Sequence, residues 1–236
     1  YLPLGQTLFQ LLDWVIQFSH QLSAHMAAYD GLTLIFMKST WWHVLLEVSS
    51  IVFLFIVMEC KTSIKSYFVP ILILICVLAV HYFTPNFLQK GEVTMLDIGQ
   101  GDSLFIQLPY RTGHILVDTG GRLSFEEEPW KKRRKVSTIG DQTLIPFLHS
   151  KGIAKLDVLI LTHADQDHMG EAMRLIKRNK VKRLAIPKGF ARNPEDAQLL
   201  REAADQRIPV DELERGDQLR IGGQKFDVLH PASDQV

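Results

Sequence analysis

Charge is spread so unevenly along this chain that it constrains the architecture before any motif is considered. Residues 1–90 hold four acidic side chains (Asp13, Asp30, Glu47, Glu59) and four basic ones (Lys38, Lys61, Lys65, Lys90), although the chain as a whole carries 26 of each. Ninety residues that poor in charge, in a chain that is 47% hydrophobic, do not read as the surface of a separate water-soluble domain. The remaining residues are charge-rich and balanced. Bulk basicity is therefore excluded, and any contact with nucleic acid has to come from a local patch. Disorder, collagen and coiled coil are excluded by composition.

Two apolar runs stand out in the charge-poor part, Trp42 to Met58, interrupted by Glu47, and Tyr67 to Phe83, which contains Cys76 and His81. Each is near the lower length limit for a membrane-spanning helix. Trp41, Trp42, Tyr67 and Tyr82 lie at the run ends, where amphipathic rings favour the headgroup level. Two spans are predicted, about 42–58 and 67–83, within a membrane region covering 1–90. Lys61 and Lys65 in the linker place it in the cytoplasm and the C-terminal part on the extracellular side of a multi-pass cell-membrane protein. Residues 4–28 repeat Leu8, Leu12, Val15, Phe18 and Leu22 at helical spacing, with Gln10, Asp13, Gln17, His20 and Gln21 between them. That pattern gives an amphipathic helix, either lying at the membrane interface or lining a polar path in a larger bundle. Glu47 is a candidate functional carboxylate within a span, or one that reaches the interface. Cys60 and Cys76 supply neither a disulfide framework nor a cysteine zinc cage. The chain starts without methionine and stops in an irregular polar stretch, which reads as an internal piece of a longer protein.

From Glu92 the periodicity becomes strand-like. Val93 to Leu96, Ser103 to Leu108 and His114 to Asp118 are short β-rich runs separated by turn chemistry, Gly99-Gln100-Gly101-Asp102 and Pro109 to Gly113, which predicts an antiparallel start. Helices near 142–151, 170–179 and 194–206 then alternate with strands at 156–162 and 181–186, and two further strands fall at 218–221 and 224–229. A mixed sheet covered by helices follows from that order.

The chemical signal is the run Leu161-Thr162-His163-Ala164-Asp165-Gln166-Asp167-His168-Met169-Gly170, directly after an apolar strand. Four metal-ligating side chains fall within six residues, enough to serve two adjacent divalent cations. The bland alternative is an exposed polar turn.

This H-x-D-x-D-H-x-G run resembles the H-x-H-x-D-H signature of the metallo-β-lactamase superfamily, with Asp165 where the second histidine stands. Asp97-Ile98-Gly99-Gln100-Gly101-Asp102-Ser103 and Asp118-Thr119-Gly120-Gly121 resemble the D-V-G-Q-G-D-S and D-T-G-G elements of one branch of it. With apolar helices in front, the whole chain resembles the ComEC family of natural competence. The resemblance implies a transmembrane α-helical segment followed, over 91–236, by the N-terminal part of an α/β metallo-β-lactamase-like (αββα sandwich) domain that is C-terminally incomplete. It implies His163 and Asp165 as ligands of one metal and Asp167 and His168 of a second, with Asp167 also orienting or deprotonating the attacking water. Asp118 and Asp102 are implied as supports of the ligand loop, and His230 precedes the strand where further ligands are expected. A carboxylate in place of a histidine hardens the site, favouring two manganese or magnesium ions with zinc admissible.

Implied with the family are DNA as partner alongside membrane lipid and other competence-machinery proteins, and nuclease action on incoming DNA. Two other readings stay open: a channel whose lactamase-like domain binds DNA without cutting it, and a membrane-anchored hydrolase of small esters. The basic run Lys131, Lys132, Arg133, Arg134 and Lys135 is a candidate DNA-binding loop, or a solvated loop balanced by Glu126, Glu127 and Glu128. Lys177, Arg178, Lys180, Lys182 and Arg183 read as the exposed face of a helix and its following turn.

Overall fold

The structure is a computed structural model and describes residues 3–27, 34–60, 63–99, 101–121 and 138–230. It divides into two units, residues 1–35 and 36–236. The first contains helix α1 (Pro3–Ala27). Trp14 stacks on Phe18 at 5.5 Å and Gln17 donates to Asp13 at 2.9 Å, both pairs one turn apart on the helix. The side chains of Leu12, Val15, Phe18 and Leu22 are exposed within the unit.

The second unit opens with a helical hairpin, α2 (Trp41–Glu59) and α3 (Phe68–Phe83), the latter entered through a single 3₁₀ turn at Ile64–Tyr67. Segments Trp41–Glu59 and Ile64–Phe87 are long and apolar enough to cross a membrane, and only 11% of each apolar window is buried. Their apolar side chains, Leu45, Val52, Phe55, Leu72 and Ile75 among them, point outward and give the hairpin a lipid-compatible surface. The polar groups turn inward instead. Glu47 Oε1 lies 2.6 Å from His81 Nδ1, the other ring nitrogen of His81 meets the Met37 carbonyl at 3.0 Å, and the His43 ring stacks on His81 at 4.2 Å. Glu47 therefore pairs across the hairpin; both cysteines are free and exposed.

Strands β1 (Glu92–Met95), β2 (Leu104–Gln107) and β3 (His114–Val117) pair antiparallel in sequence order. Beyond β3 the sheet turns parallel through β4 (Val158–Ile160), β5 (Leu184–Pro187) and β6 (Val210–Leu213), giving the order β1-β2-β3-β4-β5-β6. The parallel crossovers run through α4 (Ile145–Ser150), α5 (Gln166–Met169), α6 (Ala172–Lys177) and α7 (Pro194–Asp205), as parallel pairing requires. Strands β7 (Gln218–Ile221) and β8 (Gln224–Asp227) form a separate antiparallel hairpin.

Alternation along the central strands sorts side chains to two faces. Leu116, Leu159, Leu184 and Ile186 join Leu148, Leu175, Ile176, Leu199 and Ala203 in the core under the helices. Ile115, Val158 and Ala185 point the other way and are covered by Leu219 and Ile221 of β7. A sheet with both faces buried reads as near-continuous apolar runs, and Val158-Leu159-Ile160 is such a run.

Two local features differ from the sequence expectation. β6 is not visible in the sequence, because Val210-Asp211-Glu212-Leu213 carries no apolar–polar alternation; it forms the sheet edge, where Asp211 pairs with Arg183. The helix expected over 170–179 is shorter, Ala172–Lys177, and a single further turn, Gln166–Met169, precedes it; the two are separated at Gly170 and Glu171, where the chain packs against another loop.

Candidate metal centre

The carboxyl ends of β3 and β4 lie side by side and deliver Asp118 and the Thr162-His163 pair to the same rim of the sheet. Asp118 adopts φ +57°, a left-handed conformation aspartate tolerates better than most residues. Its N–H donates to Ile160 O at 2.8 Å, and the residue is only 4% exposed. The carboxylate then receives three bonds: Oδ1 from Thr162 N at 2.8 Å, and Oδ2 from Thr162 Oγ1 at 2.6 Å and from His168 Nδ1 at 2.9 Å.

Donor and acceptor roles in this network are forced. A carboxylate only accepts, so His168 Nδ1 carries a proton, and in the neutral tautomer Nε2 presents its lone pair toward the site. The single hydroxyl proton of Thr162 is committed to Asp118, so at the 2.8 Å contact between Thr162 Oγ1 and His163 Nδ1 the ring donates. His163 also presents Nε2. One buried aspartate, through one threonine, therefore sets the tautomer of both histidines.

His163, Asp167 and His168 offer one ligand atom each within 4.8 Å of one another. The two imidazoles lie 3.8 Å apart, Asp165 Oδ2 is 3.4 Å from His163 Nε2, and Asp167 Oδ2 is 3.6 Å from His168 Nε2. Three of the four expected ligands, His163, Asp167 and His168, come together, while Asp165 lies against His163 alone among them. Two imidazole Nε2 atoms facing two solvent-accessible carboxylates make a donor set that suits divalent cations. Asp165 is the most open of the four, its side chain 78% exposed.

The ligand turn is held by main chain. Thr119 N donates to His168 O at 2.6 Å and Gly120 N to Asp102 O at 3.1 Å. Asp102 meets the Asp118–Gly121 turn through this carbonyl, while the residue is otherwise exposed. At Gly101, with φ +78°, a Cβ would meet Asp167 O at 1.6 Å, and at Gly121 a Cβ would meet Gln166 O at 2.0 Å, so the glycines of both upstream motifs are where the ligand turn rests.

Beside the ligands opens a cavity of about 360 Å³ lined by His163 and Asp165 on one side and Lys188, Arg192, Asn193 and His230 on the other. Sequence reasoning gave no role to Thr162, Lys188 or Arg192. A threonine between the last strand residue and the first ligand histidine was the available signal for the first; for the two cations there was none. Of the second basic group, Arg178 pairs with Asp141 at 3.0 Å and Lys182 with Asp157 at 2.8 Å. The run 131–135 lies outside the described residues.

A family model described as the metallo-beta-lactamase superfamily matches residues 96–233. The chain is 40% identical over 227 residues to ComE operon protein 3 of Bacillus subtilis (strain 168), covering 96% of this chain and 29% of that protein. It is 32% identical over 146 residues to competence protein ComA of Neisseria gonorrhoeae, covering 61% of this chain and 16% of that one. The chain thus spans less than a third of the length of these curated relatives. Among solved structures, CmlA, a diiron beta-hydroxylase from Streptomyces venezuelae, is 23% identical over 59% of this chain and 24% of its own, with a TM-score of 0.35.

Proposed function

Because the chain belongs to the metallo-β-lactamase superfamily, we propose that it is part of a membrane protein of DNA uptake whose lactamase-like domain, residues 91–236, hydrolyses phosphodiesters with divalent metal. The observation that carries this reading is the Asp118–Thr162 network, which orients both histidine Nε2 atoms toward two carboxylates. An exposed polar turn has no need to fix two tautomers with a buried carboxylate. The competence proteins named among the relatives, and the outward-facing apolar hairpin, support the membrane and DNA-uptake context.

His163, Asp165, Asp167 and His168 would hold two divalent cations, which supply charge neutralisation at the phosphate and activation of water. The hard, carboxylate-rich donor set favours manganese or magnesium over zinc. Asp167, with its side chain 43% exposed at the mouth of the site, accepts the proton of the attacking water. Asp118 keeps the His168 ring fixed while charge develops. The hairpin over residues 41–87 spans the membrane, with the linker bearing Lys61 and Lys65 on the cytoplasmic side and the metal centre outside.

The test uses the full-length protein with its natural membrane region. Single- and double-stranded DNA are offered with manganese, magnesium or zinc, beside an Asp167→Ala, His168→Ala double variant. Metal-dependent cleavage that disappears in the variant is expected. DNA binding without cleavage under every metal would replace this reading with that of an inert recognition domain on a channel.

A further inference from the structure

We propose that the loop following β5 forms a second phosphate subsite, in which Lys188 and Arg192 grip the backbone of a single DNA strand next to the diester being cut. The inference rests on the hydrolase reading above and adds the substrate class that site prefers, a polymeric strand in place of a small diester.

Lys188 and Arg192 line the same cavity as His163 and Asp165, so an anion held by the two cations is a neighbour of a group held at the ligands. The cavity's two walls are tied to each other. Gln166, inside the ligand turn, donates to Glu195 at the start of α7 at 3.2 Å. The loop bearing the cations is itself braced. Lys188 N donates to Leu213 O and Phe190 N to Pro187 O, each at 3.1 Å, and the Phe190 ring is buried at 4% exposure. Asp196 Oδ2 accepts from Arg192 N at 3.0 Å and from Asn193 N at 3.2 Å. The backbone of residues 187–193 is therefore preset, and a strand entering the cavity meets cations that need only adjust their side chains.

The charges are placed to be used by a ligand. Both cationic side chains are exposed. Lys188 reaches Glu214 at 3.3 Å, but that pair is solvent-facing on both sides and is worth little in water, so a phosphate displaces the carboxylate readily. Two carboxylates also line the cavity. Asp165 belongs to the ligand set and its charge is offset when cations are bound, whereas Asp196 is 1% exposed, with Oδ2 accepting from the loop's N–H groups and Oδ1 buried without a hydrogen-bond partner. The charged side chains left open toward solvent on the wall opposite the ligands are Lys188 and Arg192, beside Asn193 and His230. A small ester fills the ligand side alone; a strand uses both walls, because a phosphate recurs at every nucleotide.

The experiment pairs binding with cleavage in the full-length protein. Binding of a labelled, non-hydrolysable oligothymidylate analogue is measured in manganese, and cleavage of the ordinary oligonucleotide is compared with that of bis(p-nitrophenyl) phosphate in the same metal. In Lys188→Ala, Arg192→Ala, oligonucleotide affinity at low salt is expected to fall about tenfold and the salt dependence to become shallower by about one unit of slope. Loss of oligonucleotide cleavage, through KM, exceeds the loss on the small diester. Lys188→Arg, Arg192→Lys restores binding, which a merely structural role would not require. Wild-type oligonucleotide affinity in the alanine variant, or equal losses on both substrates, overturns the subsite while leaving the hydrolase reading intact. A wild-type protein that cuts neither substrate but binds the strand through these two residues overturns the hydrolase reading and leaves the subsite standing. Absence of both cleavage and binding overturns both.

Discussion

Replacing Thr162 with valine removes one oxygen and keeps the shape of the side chain, so it isolates what the hydroxyl does. In the wild-type chain that oxygen gives its proton to Asp118 Oδ2 at 2.6 Å and receives the His163 Nδ1 proton at 2.8 Å. In Thr162→Val, Asp118 retains its bonds from Thr162 N and from His168, because the first involves main chain and the second another side chain. His168 stays locked and His163 alone loses its acceptor. Its ring becomes free to rotate and to place the proton on Nε2, which removes a ligand. Loss of such an orienting partner costs ten- to a hundredfold in metal affinity, and the His163 side chain is 44% exposed, so water replaces part of the lost bond. The expected loss is therefore at the lower end, about tenfold or ~1.4 kcal/mol. Asp118→Asn is expected at the upper end, about a hundredfold, because an amide in that buried position turns a donor toward either Thr162 N or His168 Nδ1. Calorimetric titration of manganese into each variant measures both. Thr162→Ser restores the hydroxyl and must recover most of the affinity. Wild-type affinity in Thr162→Val, or a serine variant as weak as the valine one, refutes the proton assignments.

Three further outcomes follow from individual contacts. Gly101→Ala places a Cβ 1.6 Å from Asp167 O at a positive φ, so the ligand turn has to move; denaturation should show a loss of at least ~2 kcal/mol, with metal affinity falling in parallel. Asp157 is raised by burial, but bonds from His114 and Lys182 outweigh that and hold its carboxyl well below the usual range. Its depressed pKa means the group stabilises the fold above the ordinary carboxylate pKa, near pH 4, and that this stability is lost as pH falls through the folded-state value. Asp157→Asn is expected to cost about 1 kcal/mol at neutral pH, a figure discounted for solvent screening, and to flatten the acid limb of thermal unfolding. In the hairpin, His81→Leu leaves the Glu47 carboxylate unpaired and should destabilise the detergent-solubilised protein by about 3 kcal/mol, whereas Glu47→Leu, His81→Leu together should cost less than the sum of the single changes. Additive single effects would show that the pair is not coupled.

The elements that proved legible in the sequence are those whose pattern has one physical cause. Val158-Leu159-Ile160 is apolar throughout because both faces of the sheet are covered, and the ligand run shows itself because four chelating side chains in six residues have no packing explanation. The antiparallel start was readable from its two turns. What stayed hidden depends on partners distant in sequence. β6 is recognisable only once Arg183 is known to meet Asp211, and Glu47 looked like a lone carboxylate near the end of a span until His81, 34 residues on, was placed against it. Thr162 carries no signal of its own, since its role exists only between Asp118 and His163. Lys188 and Arg192 are surface cations like many others until the fold sets them across a cavity from the ligands.

The same dependence on distant partners governs how the hairpin meets the lactamase-like domain. The segment before α2 is held from two directions. His81 binds the Met37 carbonyl, and Lys38 N donates to Ser150 O at 2.7 Å at the end of α4. After α3 the chain is held again, by Tyr110 N donating to Leu88 O at 2.7 Å and by Lys151 pairing with Glu92 at 2.6 Å. Arg111 completes the junction by donating to Lys151 O at 2.8 Å and Gly152 O at 2.9 Å. These bonds fasten the end of the hairpin to the β2–β3 turn and the end of α4, whereas a flexible tether would show none of them. Since β3 runs from that turn to Asp118, one strand connects the hairpin junction to the residue that orients both histidines. Its position along the chain fixes where the candidate ligand residues sit relative to the hairpin's end.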